Sequence, residues 1–417
     1  MRVVSKGNGH AGFRALGRWL FLLVLITTPV SADEKTLKIY HDADRSVHAE
    51  SAQSIERGIH TALAEVNYEA QGYTLEFVPQ DHRGNVLRSK LNFQAFLKDP
   101  TALVMFSGIH SPPLIRNRKF INENKILTLV PWAAGGPITR FPSTENWVFR
   151  LSLDDTQVGA VLVNYALKTK HCKAPHLLLE NTPWGDSNRR TMGTALVQAG
   201  ILAPEVSRFG FSLKRNGADY LLRSIKESGG DCIILVANAV EGSNIANAMA
   251  SLPEELRMPI ISHWGISAGN FHEKVPQDMR ARIDLNFIQS CFSFNKGYLS
   301  KFQQTVLGKA QQLFPEEVRD ASGIKSPVGF IHGYDLTRVM LKALEGVEII
   351  DDMSITRDRL RRGLESLQQP VQGLIRVYEK PFSVFNADSS PNAHEALNAQ
   401  DYCMAYYGKN NEILLVE

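Results

Sequence analysis

Beyond its first thirty or so residues the chain alternates short apolar runs with amphipathic stretches of helical length. Residues 37–40 predict a first strand, and residues 50–67 a helix with Ile55, Ile59, Ala62, Leu63 and Val66 at helical spacing. Residues 74–78, 102–106 and 126–130 read as further strands, with 91–97 and 114–122 as helices among them. The pattern then repeats. A helix over 157–167 is followed by strands at 176–179, 206–211, 232–237 and 259–262, another at 284–294, and helices at 298–314 and 333–345. A terminal hairpin pairs 402–407 with 412–416 across Lys409-Asn410-Asn411. Repeated strand-helix alternation predicts an α/β protein with two doubly wound, Rossmann-like lobes, whose ligands lie beyond the carboxyl ends of the strands. Residues 386–398, rich in Ser, Asn, Asp and Pro, read as linker.

The first 32 residues stand apart. They carry Arg2, Lys6, Arg14 and Arg18 with no acid, then the apolar run 19–26, then Pro29-Val30-Ser31-Ala32. The run is shorter than the roughly 20 residues that span a bilayer, so a signal peptide cut after Ala32 is expected, with no stable membrane insertion afterwards. Against 46 Lys+Arg and 43 Asp+Glu in the whole chain, losing those four leaves near neutrality. That excludes the clustered basic footprint of a nucleic-acid binder. Four cysteines in an exported chain allow three pairings. Cys172 and Cys232 flank strands that are neighbours in a 2-1-3-4-5 sheet, so they are the expected disulfide, with Cys291 and Cys403 a second pair. Four buried thiols are the alternative.

Candidate chemistry falls on the loops leaving the strands. Gly108-Ile109-His110-Ser111-Pro112-Pro113 offers Ser111 as a helix cap and a helix start suited to an anion. Pro131-Trp132-Ala133-Ala134-Gly135-Gly136 puts an aromatic ring before small residues that admit a ligand close to the backbone. In the second half the corresponding loops carry Glu180 to Trp184, Asn238 to Glu241, and His263-Trp264. Trp132, Trp184 and Trp264 are thus expected to wall one pocket, where aromatic faces add on the order of 1 kcal/mol per contact.

The succession Asp81-His82-Arg83-Gly84-Asn85, Gly108-Ile109-His110-Ser111-Pro112, Thr128-Leu129-Val130-Pro131, Val148-Phe149-Arg150-Leu151-Ser152 and Trp184-Gly185 resembles the branched-chain amino-acid-binding family of type I periplasmic binding proteins. Gly58 and Tyr334-Asp335 extend the likeness over nearly all of the chain after the leader. The resemblance implies a periplasmic receptor, monomeric and without cofactor, that closes over a small ligand and delivers it to an ABC permease or reports to a membrane sensor. It implies a hinge of three crossings, with lobe one over 33–151 plus 293–381 and lobe two over 152–292 plus 382–417. It also places Ser111 and the Ala133 backbone where the family holds a carboxylate and an ammonium, and Trp184 where an aromatic covers the ligand. The sequence departs from the family at Ala134, in place of a threonine, and at Trp264, near the usual acidic partner of an ammonium. An aliphatic amino acid then requires Glu241, Asp44 or Asp186 as a substitute charge, because an uncompensated buried ammonium is costly.

Two other chemistries have partial signatures in the sequence. Gly265-Ile266-Ser267-Ala268-Gly269 matches a nucleophile elbow with His272, His332 and His394 downstream, but Gly269-Asn270 and Pro276 interrupt the helix such an elbow needs, so no enzyme is expected. His41, Asp42, Asp44 and His48 fit no defined metal spacing and read as a cleft-edge loop, with Arg45 beside them as a possible anion contact. Arg357, Arg359, Arg361 and Arg362, interspersed with acids, read as a solvated helix face.

Overall fold

The computed structural model describes residues 35–416. The expected leader and its cleavage site lie outside them. Near-continuous apolar runs form strands buried on both faces, as sheets covered by helices on both sides require. The first sheet contains β1 (Thr36–Ala43), β2 (Glu69–Ala70), β3 (Tyr73–Asp81), β4 (Ala102–Ser107), β5 (Thr128–Val130) and β6 (Val148–Arg150), in the order β2-β3-β1-β4-β5-β6. All its pairs are parallel except β2 with β3. The second contains β7 (Pro175–Glu180), β8 (Val206–Phe209), β9 (Cys232–Val236), β10 (Ile260–Ser262) and β11 (Leu285–Ser290). A separate hairpin, β12 (Val371–Gln372) and β13 (Val377–Tyr378), precedes β14 (Tyr402–Tyr407) and β15 (Ile413–Leu415), which return antiparallel to the second sheet. Its order is β15-β14-β11-β10-β9-β7-β8.

The helices up to residue 251 are α1 (Ala49–Glu65), α2 (Val86–Lys98), α3 (Ser111–Glu123), α4 (Asp155–Asn164), α5 (Pro183–Gln198), α6 (Arg215–Glu227) and α7 (Ala239–Ser251). Two short helices, α8 (Phe271–Lys274) and α9 (Gln277–Arg280), precede α10 (Lys301–Leu313), α11 (Pro327–Glu345) and α12 (Met353–Glu365). Several begin earlier than periodicity predicts, because caps rather than apolar spacing set their starts. Asn85 accepts the Leu87 and Arg88 N–H groups and starts α2 at Val86, and Pro327 opens α11 six residues ahead of Gly333. The strand expected over 284–294 stops at Ser290, and Phe292 and Phe294 turn into a satellite core with Phe330. α11 packs against α1. At Gly58 an added Cβ would lie 2.2 Å from the Phe330 carbonyl oxygen, so the two backbones approach as only glycine allows.

Cys172 and Cys232 are joined by a disulfide, as are Cys291 and Cys403; Cys172 just before β7 is tied to Cys232 in the neighbouring β9, and Cys291 just after β11 to Cys403 in the neighbouring β14. Two readings of polar segments are corrected. Residues 386–398 are no free linker: His394 stacks on Phe149 at 3.7 Å, and Glu395 takes two hydrogen bonds from the fully buried Arg150, at 2.6 and 2.7 Å. Arg150 also pairs with Asp154 at 2.9 Å, and Arg140 with Asp154 at 2.6 Å, so the charges offset one another where the chain passes between the sheets. Nor are Arg357 and Arg361 solvated. Arg357 donates to the Ala102 carbonyl at 2.8 Å, while Arg361 pairs with Glu365 and lies over the Trp147 ring.

Candidate functional site

The carboxyl ends of the parallel strands of both sheets converge on one cleft. From lobe one come the turns after β1, β3, β4 and β5, and from lobe two those after β7, β8, β9 and β10. Ile109 holds φ at +69°, a costly conformation for a β-branched residue, and it turns the chain so that His110 and Ser111 face the cleft. Trp132 and Trp264 meet across the floor with ring centroids 5.7 Å apart. Trp184 stands edge-on to His263 at 5.0 Å, and its buried Nε1–H has no hydrogen-bond partner.

The cleft has two compartments. The inner one is lined by His110, Ser111, Trp132, Ala134, Trp184, Asn238 and Trp264, together with Glu180, and its free volume of about 10 Å³ is that of a single water site. The outer one, about 540 Å³, lies between Asp44, His48, Arg83 and Arg116 on lobe one and Asn181, Thr182, Phe211 and Glu241 on lobe two. His110 and Pro112 belong to both. The outer volume falls in the range of small-molecule sites, roughly 300–1,000 Å³.

Most of the expected site residues therefore come together, with corrections. Ser111 is the first helical residue and not the cap, and its Oγ accepts the Gly135 N–H at 3.0 Å. Because Pro112 and Pro113 have no N–H, Ser111 supplies the only amide donor among the first three helical residues, so the helix start is a poorer anion site than expected. Ala133 is turned inward, its carbonyl accepting from Ser152 at 3.3 Å and Arg150 at 3.4 Å. Ala134 stays on the wall while its carbonyl takes the Asp155 N–H at 3.0 Å. Asp186 is half-exposed and bound to Arg208 at 2.9 Å, outside both compartments. Glu241 lines the mouth, not the floor, and burial pushes its carboxyl up to about 7, with the Glu180 charge adding to the effect.

Glu180, named only as the start of a candidate loop, is itself a lining residue of the inner compartment. As the last residue of β7 it points into the floor, accepting from Thr182 at 3.0 Å and Asn238 at 3.1 Å, and burial raises its pKa. The available signal was an acid closing the apolar run Leu177-Leu178-Leu179 at a carboxyl end. His263, beside Trp264 in its loop, supports the floor from behind. Its Nδ1 accepts the Trp264 N–H at 2.9 Å, so Nε2 carries the proton and donates to the buried Asp155 at 2.9 Å. His332 backs Trp264, with Nδ1 donating to the Pro131 carbonyl and Nε2 accepting from Ser290.

Of the loop after β1, Asp44, Val47 and His48 reach the cleft. His41 pairs with Glu56, and Asp42 accepts from Ser89 and Asn92 within lobe one. Arg45 is likewise drawn to Glu56, at 3.2 Å. Burial alone would raise the Asp44 pKa, but hydrogen bonds from His110 at 3.1 Å and the Val47 N–H at 2.9 Å hold it well below the usual carboxylate range. His48 and His82 are lowered to about 3, first by burial and then by repulsion from His110. Ser267 builds no elbow: its hydroxyl donates to the Trp264 carbonyl at 2.7 Å, closing its own turn.

The model of the periplasmic binding protein family matches residues 42–260, just over half of the chain. No match was found among curated proteins. Solved structures share the fold at low identity. A type 1 periplasmic binding protein from Bordetella pertussis Tohama I superposes with a TM-score of 0.74 at 14% identity, covering 92% of this chain and 100% of that one. An ABC transporter solute binding protein from R. palustris, in complex with benzoate, gives 0.73 at 15% identity, with 91% and 95% covered. A leucine binding protein from Thermotoga maritima gives 0.72 at 15%, with 92% and 98% covered.

Proposed function

Because the chain belongs to the periplasmic binding protein family, we propose that it is a solute receptor that closes over a small polar or aromatic-containing ligand and delivers it to an ABC-type importer. The leader of residues 1–32 exports it, with cleavage after Ala32, and the lobes divide at the crossings near residues 151, 292 and 381. The observation that carries this reading is the convergence of strand ends from both sheets on one cleft, with the Trp184 indole N–H unpartnered at its floor. A ligand that touches both lobes favours the closed state by the difference in its contacts with the two conformations.

The chemistry of the cleft narrows the ligand. Ser111 and the Trp184 Nε1–H supply donors for an acceptor such as a carboxylate, and Glu180 supplies the acceptor that an ammonium, amide or hydroxyl needs. Glu180 therefore takes the part that the sequence assigned to Glu241, Asp44 or Asp186. The Trp132–Trp264 contact parts to admit the ligand, and the rings then flank its apolar or aromatic body. A thermal-shift screen of the exported form against amino acids, aromatic acids and amides tests this, because a ligand bound to the folded state alone raises the melting temperature. Stabilisation by at least one class, lost in Trp184→Ala, is expected. Uniform failure of all classes overturns the reading.

A further inference from the structure

We propose that Asp44, His48 and His110 bind one divalent transition-metal ion on the lobe-one wall of the cleft mouth. One ligating atom from each of the three comes within 4.8 Å of the others. His110 Nε2 and Asp44 Oδ2 lie 3.1 Å apart. Two nitrogen or oxygen ligands, each about 2.0–2.2 Å from a shared ion, are separated by roughly 3–3.5 Å at the angles zinc adopts. This pair already stands at that separation, and the His48 ring lies beside it, its centroid 4.7 Å from that of His110.

The outer contacts fit a ligand set as well. Asp44 Oδ1 is held by the N–H groups of Ser46 at 3.2 Å and Val47 at 2.9 Å, which leaves Oδ2 to turn toward the ion. Such second contacts are what orient metal-binding carboxylates. His82, ring to ring 6.0 Å from His110, is excluded as a fourth ligand, because its Nδ1 accepts the Gly84 N–H at 2.9 Å and its Nε2 then carries the proton. Two imidazole nitrogens and one carboxylate oxygen select zinc and its transition-metal neighbours over magnesium or calcium, which prefer oxygen alone. Three protein ligands leave the ion open toward the outer compartment, where an oxygen donor from the solute, or from Glu241 on the far wall, completes its shell. Because all three ligands belong to lobe one, the site stands whether or not the solute reading does.

The test uses untagged protein without its leader, stripped with chelator and titrated calorimetrically with Zn²⁺, alongside Co²⁺ followed by visible absorption. One ion per chain is expected, with no comparable heat from Mg²⁺. His48→Ala, His110→Ala and Asp44→Asn are each expected to weaken binding at least tenfold, while the exposed His171→Ala leaves it unchanged. Circular dichroism checks that each variant is folded, and His110→Gln replaces any His110→Ala protein that is not. Absence of stoichiometric binding, or binding that survives both His48→Ala and a folded His110 variant, overturns the proposal.

Discussion

At the floor of the cleft Trp132, Trp264 and His332 pack ring against ring and leave space for about one water, whereas at the mouth the lobes stand apart around about 540 Å³ edged by histidine, arginine and glutamate. The floor is an extension of the hydrophobic core: Trp132 and Trp264 are 2% and 1% exposed and join its main cluster. The mouth is assembled from turns and helix starts that carry charged and polar side chains around open space. Stability and ligand discrimination should thus depend on the floor, while charge and metal chemistry should depend on the mouth.

The sharpest way to break that contrast is to hollow the floor. Trp132→Ala is expected to cost about 3–5 kcal/mol of unfolding free energy, since a buried tryptophan leaves both lost transfer energy and a cavity. Urea denaturation measures it, and a cost below 1 kcal/mol means that the floor is not core.

A second effect comes from behind the floor, where burial lowers His332 to about 4 from its ordinary value of 6.5. The unfolded chain takes up this proton first, so the neutral histidine's contribution is intact above pH 6.5 and is lost as pH falls toward 4. Linkage sets that loss at about 3 kcal/mol. The stability difference between His332→Asn and the parent should therefore shrink by that order between pH 7 and pH 4. A difference that stays constant over this range contradicts the assignment.

For the ligand found by the screen, Trp184→Ala should weaken binding by about 2 kcal/mol, roughly thirtyfold, as loss of a desolvated aromatic anchor does. If Trp132→Ala, Trp184→Ala and Trp264→Ala all fold and leave the dissociation constant unchanged, the floor is not the binding surface. Smallest of all, Arg116→Ala at the mouth should change stability by no more than about 0.5 kcal/mol, the usual range for a surface side chain. A larger loss in the same urea assay would show that the mouth is as tightly built as the floor.

Periodicity and strand-end position were enough to name two doubly wound lobes and most of the floor, because both follow from local rules: apolar runs make buried strands, and parallel sheets present their loops at one end. The three tryptophans, Ser111 and Asn238 were legible for that reason, and the Cys172–Cys232 neighbourhood followed from strand order alone. The direction in which a loop residue turns does not follow from such rules. Ala133 faces inward because Arg150 and Ser152 claim its carbonyl, Asp186 is taken by Arg208, and Glu180 enters the floor because Thr182 and Asn238 hold it there. Charged segments are hard to read from sequence for a related reason. Arg357 and Glu395 lie in polar stretches, but partners 255 and 245 residues away in sequence bury them. The same holds at the mouth, where His110 joins Asp44 from 66 positions along the chain. Composition and spacing determine which strands and helices form and at which end their loops gather. Which side chains meet there was decided by the tertiary structure, since hydrogen bonds and ion pairs between distant residues act only once the lobes have packed.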